Sequence, residues 1–147
     1  MKKFLIIGNM NAITYKDIFN YIKNNELWIG VNNVPTFNTQ NGGTKKFGNI
    51  CWYTNLTHQK INEEIYLYKT YNTESYPKYD NYDAINVDRA SDIPKNYFGE
   101  MGVPISFFNN LNRNQFELIG LMTSCDKGDP YVNGKHIYAR LLIRRKK

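Results

Sequence analysis

Four consecutive apolar side chains, Phe4-Leu5-Ile6-Ile7, stop at Gly8-Asn9, and the apolar residues that follow recur at helical spacing. A run that is apolar on both faces predicts a central strand of a parallel sheet. Tyr15, Ile18, Phe19 and Ile22 then fall at i, i+3, i+4 and i+7 and predict an amphipathic helix. Thr14 is its expected N-cap, with Asp17 three residues on. Asn24-Asn25 should end it, and residues 27–31 read as the next strand. Strand, polar turn, helix and strand is the opening of a βαβ unit, so this start commits the chain to an α/β fold.

The rest fills out a mixed sheet. Residues 32–48 are polar, Asn-rich and broken by Pro35 and Gly42-Gly43, which predicts a long loop or loose hairpin. Residues 49–55 read as a strand, and Ile61, Ile65 and Tyr68 predict a short helix within residues 60–71. Residues 76–83 form a tyrosine-rich loop. Pro104 is placed to start a short helix carrying Phe107, Phe108 and Leu111. Residues 116–121 are an apolar strand, and Asn133-Gly134 is a tight-turn signal leading into a closing strand at 136–143. The expected order is β-α-β, a long loop, β-α, then an antiparallel pair.

At 147 residues the chain is the size of a single domain, expected to span 1–147. It has no run of 18 apolar residues to cross a membrane. The apolar run after Lys2-Lys3 is too short for a secretion signal, so the expected compartment is the cytoplasm. Cys51 and Cys125 make at most one bridge and read as two free thiols. A net charge of +6 favours a polyanionic partner without requiring one. The 21 Asn residues reflect general usage more than chemistry, so few single Asn residues carry a signal.

Most chemistries find no residues. His58 and His136 lie far apart, as do Cys51 and Cys125, and no paired spacing suits a metal ion. Cys51 falls inside an apolar strand, a poor place for a nucleophile. Glu63-Glu64 reads as solvated charge, and Gly42-Gly43 is the one glycine pair, with no phosphate-cradling loop. Two features remain. Asn9 and Asn11 follow the first strand at its carboxyl end, the edge where α/β sheets bind ligands, although turn and cap roles are the commoner use of such residues in an Asn-rich chain. Lys45-Lys46 and Arg144-Arg145-Lys146-Lys147 are basic clusters. With Trp52, Tyr53 and the tyrosine loop they suit a nucleic-acid backbone, while the terminal cluster also reads as a solubilising tail.

The segment Lys3-Phe-Leu-Ile-Ile-Gly-Asn-Met-Asn-Ala-Ile-Thr-Tyr-Lys-Asp-Ile-Phe19 resembles the EcoRI-type adenine-specific DNA methyltransferases. The resemblance continues in order through Cys51-Trp-Tyr-Thr-Asn-Leu56 and Tyr76-Pro-Lys-Tyr-Asp-Asn-Tyr-Asp-Ala-Ile85. Met101-Gly-Val-Pro-Ile105, Asn114-Gln-Phe-Glu-Leu-Ile-Gly120 and Asn133-Gly-Lys-His-Ile-Tyr-Ala-Arg140 complete it. It implies transfer of a methyl group from S-adenosylmethionine to the N6 of adenine in DNA, within a restriction–modification system. The implied fold is a partial Rossmann-like methyltransferase sheet, α/β and mixed, lacking the cofactor-binding first half.

The family's catalytic Asn-Pro-Pro-Phe-type motif has no match, because the prolines at 35, 77, 94, 104 and 130 are never adjacent. No glycine-rich cofactor loop precedes a helix either. Adenine N6 is a poor nucleophile that needs fixed acceptors beside the methyl donor and a flipped base. The expectation is a carboxyl-terminal fragment or subunit, with no catalytic residue, that neither binds S-adenosylmethionine nor methylates alone. Asn9, Asn11, Lys45, Lys46, Trp52 and Asn55 are its candidate DNA contacts. An edge of Phe4-Leu5-Ile6-Ile7 is expected to pair with another copy or with a chain carrying the amino-terminal half. The rival reading is a non-catalytic module that binds DNA or protein.

Overall fold

The computed structural model describes residues 2–30 and 35–147, so Val31 of the expected second strand and residues 32–34 of the expected loop lie outside it. The chain divides into two compact units, Met1–His58 and Gln59–Lys147.

In the first unit, β1 (Leu5–Asn9) leads through a 3-10 turn (Met10–Thr14) into α1 (Lys16–Lys23), then β2 (Trp28–Ile29). A small hairpin follows, β3 (Thr36–Asn38) and β4 (Thr44–Lys46), and then β5 (Ile50–Thr54). The sheet order is β1-β5-β2, and β5 is antiparallel to both neighbours. β1 and β2 therefore run in the same direction, and the βαβ unit is present but split by a strand inserted between its halves. This corrects the expectation for β1, which is an antiparallel edge strand and not a central parallel one. Its apolar run faces outward, with Leu5, Ile6 and Ile7 exposed. The core forms from Ile13, Phe19, Ile22, Leu27, Ile29, Cys51 and Tyr53.

α1 buries Phe19 and Ile22 of the expected stripe, while Tyr15 is exposed. Thr14 does not cap it. Its hydroxyl donates to the Asn11 carbonyl (2.7 Å), spent on the preceding 3-10 turn, and Tyr15 takes the cap position without a side-chain bond. Asn24 and Asn25 end the helix as expected, Asn25 with a φ of 61°.

The second unit is built on a four-stranded mixed sheet. β6 (Ala84–Asn86) is parallel to β7 (Glu100–Pro104), and β11 (Arg140–Arg145) lies antiparallel between β7 and β8 (Phe116–Met122). Met101, Val103, Phe107, Phe116, Leu121, Leu141 and Ile143 fill its core. β6 and β7 were not expected, each being short and interrupted by Asn86, Gly102 or Pro104. Gly102 is required by packing, because a Cβ there would collide with the Tyr79 phenol.

The helix expected over 60–71 is absent. A 3-10 turn (Gln59–Asn62) precedes an extended segment in which Ile65 and Leu67 are half-buried and Tyr66 and Tyr68 exposed, a period of two. Gln115 holds it open, accepting from the Ile65 N–H (2.9 Å) and donating to the Ile65 carbonyl (2.7 Å). The helix expected after Pro104 is a 3-10 helix (Ile105–Asn110) that buries Phe107 and Phe108. Asn133 and Gly134 form the expected turn with φ of 51° and 74°, but it closes a separate hairpin of β9 (Tyr131–Val132) and β10 (Lys135–His136). β11 begins only at Arg140.

Candidate functional site

The six candidate residues all belong to the first unit, and the β1–β5 ladder sorts them. Asn9 pairs with Ile50 at one end, and Leu5 pairs with Thr54 at the other. Five residues of strand, roughly 16 Å, therefore separate Asn9 from Asn55. Lys45 and Lys46 lie on β4, three residues before β5 begins, on the chain that enters the Asn9 end. There the Met10 N–H donates to the Asn49 carbonyl (2.7 Å). Asn9, Asn11 and the lysine hairpin thus lead to one end of the sheet, and Asn55 does not.

Each side chain is held differently. The Asn9 side chain accepts from the Asn11 N–H (2.9 Å) and caps the 3-10 turn. The Tyr53 hydroxyl donates to the Asn9 carbonyl (2.8 Å), fixing this turn to β5. Burial pushes the Tyr53 phenol well above its ordinary range, so it serves as a donor. Trp52 is half-buried in mid-strand opposite Ile7, and the Gly30 N–H donates to its carbonyl (2.8 Å). Asn55 is a strut. Its side-chain Oδ1 accepts from the Phe4 N–H (3.0 Å) and its side-chain Nδ2 donates to the Lys2 carbonyl (2.9 Å), clamping the start of β1.

Lys45 lies over the Phe47 ring (5.2 Å), and Phe37 meets Phe47 edge-on at 5.7 Å. The sequence around them carries a signal that residue-by-residue reading missed: between Glu26 and Glu63 there is no carboxylate side chain. The hairpin therefore has no internal partner of opposite charge within that stretch.

The terminal basic cluster is not a tail. Arg144 stands in register opposite both Glu100 and Glu117 and pairs with them at 2.7 and 3.4 Å. Arg145 lies over the Phe98 ring (5.1 Å), and Lys146 donates to the Arg113 carbonyl (2.6 Å). These contacts spend the first three charges of the cluster on the second unit's own fold. That unit also holds a polar network invisible in the sequence. The Tyr79 hydroxyl donates to the buried Asn86 side chain (2.8 Å), which in turn donates to Asp88 (2.8 Å), and Arg140 pairs with Asp88 at 3.5 Å.

Two cavities differ in kind. A groove of about 320 Å³ in the first unit is lined by Phe4, Ile6, Ile18, Tyr21, Leu27 and Tyr53, with Glu26 as its one charged group. A polar cavity of about 290 Å³ in the second is lined by Lys69, Asn72, Ser75, Asn86, Asp88 and Asp92 among others. Among the described residues no three metal-ligating side chains cluster, and no helix is long and apolar enough to cross a membrane.

The family model described as "Adenine-specific methyltransferase EcoRI" matches residues 1–146. The chain belongs to this family. It is 43% identical over 99% of its length to the Type II methyltransferase M.EcoRI of Escherichia coli, covering 51% of that protein. It is 34% identical to M.MgeORF184P of Mycoplasma genitalium and to M.MpnI of Mycoplasma pneumoniae, covering 57% of each. This member of the EcoRI methylase family thus spans about half the length of the curated relatives it matches. No solved structure matches it at a significant level.

Proposed function

We propose that this chain is the carboxyl-terminal portion, as a fragment or subunit, of an S-adenosylmethionine-dependent adenine-N6 DNA methyltransferase of a restriction–modification system. The observation that carries this reading is the family match over 1–146 in a chain half as long as its relatives. Both compact units belong to that portion, and the split β1-α1-β2 unit is its share of a Rossmann-like sheet. The chain methylates nothing alone, since no pair of adjacent prolines exists to build the family's catalytic motif.

Cofactor chemistry points the same way. S-Adenosylmethionine carries an ammonium, a carboxylate, a sulfonium and ribose hydroxyls, each needing a polar partner when enclosed. The apolar groove offers one carboxylate, Glu26, and the hydroxyl of Tyr53 is already donated to Asn9. The residues lining this groove do not fit the cofactor. The groove and the neighbouring β1 edge instead suit apolar side chains of a chain carrying the amino-terminal half, or of a second copy. DNA is met by Asn9, Asn11, Lys45, Lys46 and Trp52, with Asn55 fixing β1 behind them.

Calorimetric titration with S-adenosylmethionine, with and without duplex DNA, tests the reading. No heat of cofactor binding is expected from this chain alone, with binding and methylation appearing once the amino-terminal half of a family member is added. Micromolar binding by the isolated chain would refute the fragment assignment.

A further inference from the structure

We infer that the β3–β4 hairpin is a two-stranded ribbon that enters the major groove of duplex DNA and reads base edges with one face. The inference rests on the DNA-contact reading above and assigns the reading to particular residues. Cross-strand partners share a face. The register pairs Thr36 with Lys46, Phe37 with Lys45 and Asn38 with Thr44. Thr36, Asn38, Thr44 and Lys46 therefore make one wholly polar face, and Phe37, Lys45 and Phe47 make the other.

The two faces are used differently. On the aromatic face the rings pack on each other and Lys45 lies over Phe47, with no carboxylate in that stretch to take its charge, so that side offers DNA a phosphate contact and no base reading. On the polar face the four side chains are exposed, and none makes a hydrogen bond with another described residue. They supply hydroxyls, an ammonium and one carboxamide, the side chain that matches adenine N6 and N7 in the major groove. No carboxylate between Glu26 and Glu63 repels the phosphates on either side. A two-stranded ribbon also has the width that groove admits.

The tip is built for close approach. Gly42 has a φ of 77° and its N–H donates to the Thr39 carbonyl (3.1 Å), closing a tight turn. The Thr39 hydroxyl accepts from the Gly43 N–H (3.1 Å). Nothing lies within 4 Å of a Cβ placed at Gly42, so the backbone there is open to close approach. A lone two-stranded ribbon is marginal in water, which fits an element completed by its ligand.

The test is selection from a randomised duplex library by the full chain, followed by affinity measurements on the selected duplex. The wild type is expected to enrich a motif. Asn38→Ala should lose preference at one or two positions, roughly 5- to 150-fold on the selected duplex, while binding unselected DNA as before. Thr44→Val keeps the β-branched shape and guards against an unfolded ribbon. Lys45→Gln should weaken all duplexes alike and lower the salt slope by about 1. Replacing purines in the motif by 7-deaza analogues removes the major-groove N7 acceptor and should cost the wild type its preference. If Asn38→Ala and Thr44→Val both enrich the wild-type motif, or the 7-deaza duplex binds normally, the ribbon does not read the groove. A wild type that binds duplexes with no preference overturns base reading but leaves DNA contact intact. A wild type that binds no duplex even at low salt removes the DNA-contact reading itself.

Discussion

Cys51 and Cys125 carry the same thiol in opposite surroundings. Cys51 is fully buried beside Tyr53, and burial pushes its thiol up, while Cys125 is exposed. Only the thiolate attacks a disulfide reagent. At neutral pH, Ellman's reagent should therefore titrate one thiol of the native chain quickly. The second should react on the order of a hundredfold more slowly, limited by local opening. Cys125→Ser should remove the fast phase, and a fast phase surviving it would contradict the burial of Cys51. The raised thiol also sets a pH dependence. A group whose folded pKa lies above its unfolded value stabilises fully below the unfolded value and loses that contribution as pH climbs through the folded one. Starting from 9.0 for a thiol, the loss begins near pH 9, and the buried phenols of Tyr53 and Tyr79 add to it above 10.0. The phenols of Tyr76, Tyr82 and Tyr97 are raised by burial in the same way, and Arg113, lowered by burial to about 10, acts in the opposite sense, so the thiol is isolated by the difference between the wild type and Cys51→Ala, which share these groups. Cys51→Ala should cost about 1 kcal/mol at neutral pH through the small cavity it leaves. Its melting temperature should approach that of the wild type by pH 10, and parallel profiles would refute the assignment.

Gln115 decides the course of an entire element. Its carboxamide meets both backbone groups of Ile65, as a neighbouring strand would, and this keeps 63–70 extended where the spacing of Ile61, Ile65 and Tyr68 predicted a helix. Gln115→Ala should cost about 1–3 kcal/mol, because it removes both bonds and strands two backbone groups. Gln115→Glu keeps the acceptor, loses the donor, and should fall between. Hydrogen exchange over 63–70 should rise in the same order, and unchanged protection in Gln115→Ala would show that other contacts hold the segment. The failed helix shows what limits reading at this scale. Periodicity located β1, α1, β5 and β8 because their apolar patterns are local. The extended segment depends on a side chain 50 residues away, which no window of sequence contains. Asn133-Gly134 was legible as a turn because only residues tolerant of positive φ sit there, yet which strands it joins is a long-range matter. The candidate site divides the same way. Residue type proposed Asn9, Lys45 and Asn55 alike, and only the structure shows that the Asn55 side chain is engaged in clamping Phe4 and Lys2 and that register separates the two faces of the hairpin.

For the whole molecule the decisive surface is the outer edge of β1. Leu5, Ile6 and Ile7 are 55%, 56% and 41% exposed, and β1 closes one side of its sheet with no further strand among the described residues. Natural proteins cover such an edge or place charge on it, since its free backbone groups recruit another strand. Here the basic residues stop at Lys3 and the apolar groove containing Ile6 continues the same surface. In isolation the chain should self-associate, with a weight-average mass that climbs above 17.3 kDa as concentration rises in sedimentation equilibrium. Leu5→Lys combined with Ile7→Lys puts two charges on one face of the strand, where both side chains are already exposed. Since neither fills the core, the fold should survive, and the double variant should remain a monomer at concentrations where the wild type does not. Adding the amino-terminal half of a family member should dissociate wild-type oligomers, because the same edge cannot pair twice. That half should bind the double variant at least tenfold more weakly, as two buried charges require. A wild type that stays at 17.3 kDa throughout, and binds the other half no better than the double variant does, would show that the edge of β1 is not where this chain meets a partner.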